Sequence, residues 1–419
     1  MKLKHTFAIA GAVLATLLAL AAAYLHVIGR DIEPADFSDL DLPPVEPVPA
    51  EENAFTYLAR ARDAYVETKK DGEYVSYFEL RDNPILIAEA LAANTEMFQH
   101  LERAAQCARC VYPVLATIND PVFRLHNFGA IARLMSIKIK YELENNAIEA
   151  ALRDVETLLR CGQLMRQNPT SLSEALVAMM FKGTGLDAIQ QLAKNPNASE
   201  DQLRRLRELL ENTPSYAATM SHARKGEFQV WRMGFDEIKA KGKRSELVYW
   251  HQPPFIPKFL YRRLFLINQT LLDYANKARV TISNIPKFYS DVTLPSYEYP
   301  ADGQSWLGTL LSRNGAGKIL LIATEIGEAG IFCEKRCEMD AHVAATQIII
   351  ACHLFQRATG RKPQTLDELV PDFLPSVPLD PFDGKPFRYK PEEGIVYSVG
   401  AKLEDFPGND DKLVFKIWE

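Results

Sequence analysis

Four cysteines stand in two close pairs, Cys107-Ala108-Arg109-Cys110 and Cys333-Glu334-Lys335-Arg336-Cys337. Thiols at such spacings can hold zinc, join in a disulfide or stay buried and free. Steps of three and four residues put each pair on one face of a helix, and neither pair sits in the tight knuckle usual for structural zinc. In an oxidising exterior the expectation is a disulfide, with Cys107, Cys110, Cys333 and Cys337 as the candidates. Cys161 and Cys352 fall on apolar helix faces and read as core. Asn314-Gly315-Ala316-Gly317-Lys318-Ile319 has the outline of a phosphate loop, but Ser312 replaces its first glycine and Ile319 its hydroxyl, which excludes that reading. Glu338, Asp340, His342 and His353 share one helix without a His-Glu-x-x-His spacing and read as surface charge. There is no Gly-x-Ser-x-Gly elbow, and His100, His126, His222 and His251 have no partner that spacing can assign, so no triad is drawn.

The elements that would carry these residues are mainly helical. From residue 53 to about 240 apolar residues recur at helical steps, broken by turn clusters at Asn119-Asp120-Pro121, Asn168-Pro169 and Asn195-Pro196-Asn197. In the stretch 148–160, Ile148, Ala151, Leu152, Val155 and Leu159 form one stripe, while Glu149, Arg153, Asp154, Glu156 and Arg160 are expected on the wet face. Ser199-Glu200-Asp201-Gln202 is a capping box ahead of Leu203, Leu206 and Leu210. The segments 132–144 and 147–164, joined at Asn145-Asn146, predict an αα-hairpin, and no second copy recurs at a fixed period. Residues 245–338 are richer in aromatics and proline, with a helix expected over 258–283 and the aromatics, Tyr261, Phe265 and Tyr274 among them, packed onto the body.

The chain has 419 residues, 47% of them hydrophobic, enough for two or three units with a substantial core. Its net charge of −6 offers no basic face for a phosphate backbone, which argues against a nucleic-acid partner. Lys2, Lys4 and His5 precede an uncharged run over 7–29, long enough to cross a bilayer as a helix, with Asp31, Glu33 and Asp36 after it. This places the N-terminus in the cytoplasm and the body outside. A cleaved signal peptide is the competing reading, with Ala21-Ala22-Ala23 as its site, but the apolar run continues to Ile28 and favours a retained anchor. Residues 30–52 are acidic and proline-rich, the composition of an extended stalk.

The tail carries the most specific pattern. A helix over 339–359 is expected to stop at Gly360, followed by Thr365-Leu366-Asp367-Glu368 as a capping box. Leu374-Pro375-Ser376-Val377-Pro378-Leu379-Asp380-Pro381 comes next, and then the alternating stretches Phe387-Arg388-Tyr389 and Ile395-Val396-Tyr397-Ser398. This region resembles the C-terminal half of the major pseudopilin of type II secretion systems. The resemblance implies a long helix leading into a small antiparallel sheet and a link to secretion. It also implies a calcium loop, for which Val399 by its carbonyl, Asp405, Asp410 and Asp411 are the candidate ligands, with Lys402 standing where an aspartate is expected. The prepilin leader and membrane-anchoring glutamate of that family are not joined to the module here, so a filament subunit is not expected.

These readings combine into a mainly α chain with an N-terminal transmembrane helix, a multi-helix body of αα-hairpins and a small α+β pseudopilin-like C-terminal module. The divisions expected are an anchor over 1–29, a linker over 30–52, a helical-hairpin domain over 53–244, an irregular and helical region over 245–338 and the module over 339–419. The function expected is that of a single-pass protein of the cytoplasmic membrane with an extracytoplasmic, periplasmic body. It would act through an envelope protein partner, with an envelope hydrolase assembled from distant residues as the alternative.

Overall fold

The computed structural model describes residues 2–70, 72–113, 126–211, 213–241, 257–293, 306–325, 328–405 and 413–418. It is mainly helical, as the periodicity requires. Helix α1 (Lys2–Ile28) is followed by α2 (Ala54–Ala64) and a short hairpin of β1 (Lys69–Lys70) and β2 (Glu73–Tyr74). The body continues through α3 (Tyr77–Arg81), α4 (Pro84–Ala93), α5 (Thr95–Ala105), α6 (Phe128–Glu144) and α7 (Ile148–Met165). Next come α8 (Leu172–Lys194), α9 (Glu200–Glu211) and α10 (Ala217–Lys241), then α11 (Lys258–Leu264), α12 (Ile267–Asn284), α13 (Trp306–Leu310) and α14 (Gly315–Glu325). Helix α15 (Glu328–Thr359) leads to β3 (Arg388–Lys390), β4 (Ile395–Tyr397) and β5 (Val414–Lys416), an antiparallel meander in that order.

Local rules explain many of the boundaries. Ser199 Oγ accepts from Gln202 N at 3.2 Å while Gln202 Oε1 accepts from Ser199 N at 2.8 Å, the reciprocal box that starts α9. Gly360, at φ +73°, takes the left-handed turn that ends α15. Helices α6 and α7 form the expected hairpin. The second box is not made: Thr365 makes no side-chain cap, and Glu368 Oε1 instead accepts from Gln364 N at 2.9 Å ahead of a single 3-10 turn.

Two hydrophobic cores organise the chain. The first runs from α2 through α9 and includes α15, Phe382, Val396 and Phe415, so the tail sheet shares the core of the helical body. The second joins the end of α1, Phe37 and Leu40 with Phe228 and Phe235 of α10, Tyr261, Phe265 and Tyr274, and Ile319 and Leu320 of α14. The aromatics expected to pack do so at Tyr261, Phe265 and Tyr274, whereas Phe259, expected to pack with them, is exposed. Tyr249, Trp250, Phe255, Tyr297 and Tyr299 lie outside the described residues.

Two expectations change here. The segment 30–52 does not stand free as a stalk. Asp31 caps α12 through Asn268 N at 2.9 Å and Gln269 N at 3.0 Å, and Asp39 is gripped by Arg279 Nε at 2.8 Å and Nη2 at 2.7 Å. The single helix over 258–283 is two, because Asn314 Oδ1 accepts from Leu266 N at 3.1 Å and draws that amide out of the helical ladder.

His353, expected on the surface, is buried on α15, where its Nε2–H donates to the Ile417 carbonyl at 2.8 Å and its ring meets Trp418 edge-on. Burial, opposed by that hydrogen bond and assisted by Arg357, pushes its pKa down to about 4. The folded state therefore binds fewer protons than the unfolded chain below the usual histidine range, and stability is lost as pH falls from about 6.5 towards 4. The loss amounts to about 3 kcal/mol at most. Urea unfolding in detergent across that range should show this slope, and His353→Gln should flatten it; an unchanged slope would place the acid sensitivity elsewhere.

Candidate functional site

All six cysteines are buried free thiols. Cys107 and Cys110 do not lie on a helix face: the chain beyond α5 is pinned in an extended form by Asn53, whose Nδ2 donates to Val111 O and whose Oδ1 accepts from Val111 N. Cys333 and Cys337 do share a face of α15, where the Cys337 thiol donates to Pro381 O at 3.4 Å. Burial pushes Cys333 up to about 11 and Cys161, Cys337 and Cys352 up to about 12, which keeps them unreactive thiols. In place of the expected disulfide, a thiol reagent should label fewer than one cysteine in the native protein and all six after unfolding without reductant. Labelling that rises only after reduction would restore the disulfide.

Among the described residues no group of three or more His, Cys, Asp or Glu side chains could hold a metal ion. Of the calcium ligands expected, Asp410 and Asp411 lie outside the described residues. Val399 is buried and its N–H donates to Asp380 Oδ2 at 2.9 Å. Asp405 is exposed, accepts from the Tyr397 hydroxyl at 3.3 Å and has Arg388 Nε at 3.5 Å. The cation beside the one described carboxylate is thus a guanidinium.

The polar centre of the tail is Asp380, which is not among the expected ligands. It is fully buried, yet Oδ1 accepts from Phe382 N at 3.0 Å and Ser398 Oγ at 2.8 Å, and Oδ2 from Val399 N at 2.9 Å and Arg388 Nη1 at 3.0 Å. Arg388 also grips Asp383, whose carboxyl it holds below the usual carboxylate range. The available signal was an acid inside the apolar run Pro378-Leu379-Asp380-Pro381-Phe382. Its saturated bonding makes it a strut for the sheet rather than a reactive group.

The feature that faces outward is the tip formed by β1, β2, α3 and α4. Tyr74, Phe78 and Ile85 are 66%, 67% and 71% exposed, and Val66 is exposed beside them. The tip is built rather than loose. Buried Asn94 holds Val66 by accepting from its N–H at 2.8 Å and donating to its carbonyl at 2.9 Å, and Lys70 reaches Glu79 at 3.6 Å. Arg81 lies 5.5 Å from the Phe78 ring centre, and Lys69 lies 4.6 Å from that of Tyr74. A groove of about 530 Å³ runs from Arg81, Pro84 and Ile87 to Lys140 and Tyr141 of α6. Aromatic and arginine side chains beside a groove, rimmed by charge, are the composition of protein-contact centres.

A second groove, of about 560 Å³, lies between α5, α6 and α7. Lys138 Nζ bridges Glu142 Oε1 at 2.9 Å and Asp154 Oδ2, and Asp154, expected on the wet face of α7, is buried. Burial first, then the Asp154 charge, raises Glu142 to about 7. Arg160 at its rim donates to the carbonyls of Ala105 and Cys107, closing the end of α5. No family model, no curated protein and no solved structure matches this chain.

Proposed function

We propose that this is a single-pass protein of the bacterial cytoplasmic membrane, anchored by α1 with its N-terminus inside. Its extracytoplasmic helical body binds an envelope protein partner through the aromatic tip at residues 66–85. The observation that carries the reading is the exposure of Tyr74, Phe78 and Ile85 on the consecutive elements β2, α3 and α4, since exposed apolar surface mixed with charge marks contact sites. The anchor is supported by the stretch Gly11–Ile28, with a mean hydropathy of 2.1 and its side chains exposed over 11–24. On this reading α15 and β3–β5 form the pseudopilin-like module, and its order of helix, 3-10 turn and antiparallel strands supports that kinship and a link to secretion. Calcium is not part of the proposal.

A photo-crosslinking residue at Tyr74 should capture one species of defined mass in envelopes, whereas the same residue at Glu208 on α9 should not. Phe78→Ala with Ile85→Ala should lower adduct yield by about tenfold or more while the protein stays folded. Equal adducts at both positions, or no effect of the pair, would refute the tip as the contact.

An extracytoplasmic hydrolase is the second reading, favoured by the near-neutral titration of Glu142 beside Asp154. Lys138 occupies both carboxylates, and no Ser, Cys or His is among the residues lining that groove. This weighs towards the contact role.

A further inference from the structure

Helix α1 serves as a ruler. A hydrocarbon core of about 30 Å takes about 20 helical residues, so an apolar run that starts at Phe7 leaves the bilayer near His26. The body meets α1 at that same level. The Tyr24 hydroxyl donates to Leu311 O at 2.9 Å, and Arg263 Nη2 lies 3.3 Å from His26 Nδ1. A Cβ on Gly29 would stand 2.7 Å from Arg263 Nε, so the end of α1 is pressed against α11. With Asp31 capping α12 and Phe37 buried, nothing spaces the body away from the membrane.

Five basic side chains stand on the elements around this exit in a chain of net charge −6. Lys258, Arg262 and Arg263 lie on α11, and Arg313 and Lys318 flank the start of α14. Phe259, on the same short helix, is 75% exposed, the most exposed large apolar side chain among the described residues. Basic side chains around an exposed aromatic ring at headgroup height have the chemistry of a surface for anionic lipid.

We infer that the face made by α11 and the α13–α14 turn lies on the outer surface of the bilayer, its basic side chains on lipid phosphodiesters and Phe259 at the boundary of headgroup and acyl chain. The inference rests on the reading of α1 as a retained anchor. It goes beyond anchoring, because it fixes how the body is held: low on the membrane.

The test uses the full chain reconstituted into vesicles of phosphatidylcholine alone or with phosphatidylglycerol. Phe259→Cys supplies an accessible thiol for an environment-sensitive fluorophore, the natural thiols being buried. Spin-labelled lipid should quench that probe roughly twofold more in the anionic vesicles than in the neutral ones. The triple variant Lys258→Glu, Arg262→Glu, Arg313→Glu should remove the difference, while a probe at Glu208→Cys should stay unquenched throughout. Equal quenching in both vesicles would overturn the headgroup recognition. An unquenched probe at 259 in protein that survives alkaline washing would overturn the docking and leave the anchor standing. Release by that wash would overturn the anchor itself, and the inference with it.

Discussion

Asp380→Ala is expected to cost about 3–5 kcal/mol and to unfold the tail sheet. The carboxylate is fully buried, and its removal strands Arg388, the amides of Phe382 and Val399 and the Ser398 hydroxyl at once. Each buried donor left without a partner carries its own desolvation penalty, so the loss exceeds that of any one bond. Asp380→Asn keeps the shape but loses the charge opposite Arg388 and should fall between wild type and alanine. Arg388→Ala alone should also destabilise. Because the two side chains answer each other, the double variant should be less damaged than the sum, with a coupling of about 0.5–3 kcal/mol. Unfolding monitored by the Trp418 environment would measure this, and additive losses would show that Asp380 acts through its backbone partners alone. Asp383 offers a contrast: Arg388 holds its pKa below the usual carboxylate range, so its contribution is present above that range and lost as acid protonates it in the folded state.

What could be read in advance is what local spacing controls. The stripe of α7, the box at Ser199 and the stop at Gly360 depend on residues within four positions of one another, and each forms as expected. The exceptions share a cause. Asp154 belongs to the polar side of α7 by periodicity, yet Lys138 on the neighbouring helix draws it inside. The acidic linker has a stalk's composition, but its carboxylates find Arg279, Arg232 and the start of α12 some two hundred residues away. The break between α11 and α12 is imposed by Asn314, and Cys107 leaves its helix face because Asn53 holds the following strand-like segment. Pairings across such distances leave no periodic trace. The tip leaves no sequence signal for a different reason: Tyr74, Phe78 and Ile85 are ordinary core residues by type, and only their exposure marks them.

Gly317→Ala should be comparably damaging, and it tests what the glycine-rich segment is for. A Cβ at this position would lie 2.1 Å from Thr270 Oγ1 and 2.3 Å from Asn314 Oδ1. Neither can swing aside cheaply. Thr270 is β-branched and fully buried and donates to Leu266 O at 2.7 Å, and the two side chains are joined at 2.9 Å. Asn314 in turn holds Leu266 N and donates to Asp273 at 3.1 Å, so pushing it releases the junction of α11 and α12 on which the end of α1 rests. Overpacking of this kind costs about 3 kcal/mol or more where the neighbours are fixed. Gly129→Ala in α6 is the control, since its Cβ would meet Arg133 only at 3.5 Å and should be close to neutral. Thr270→Ala combined with Gly317→Ala removes the nearest clash and should recover part of the loss. If Gly317→Ala proved as mild as the control, the segment would not be a packing joint, and the contact of α1 with the body would need another explanation.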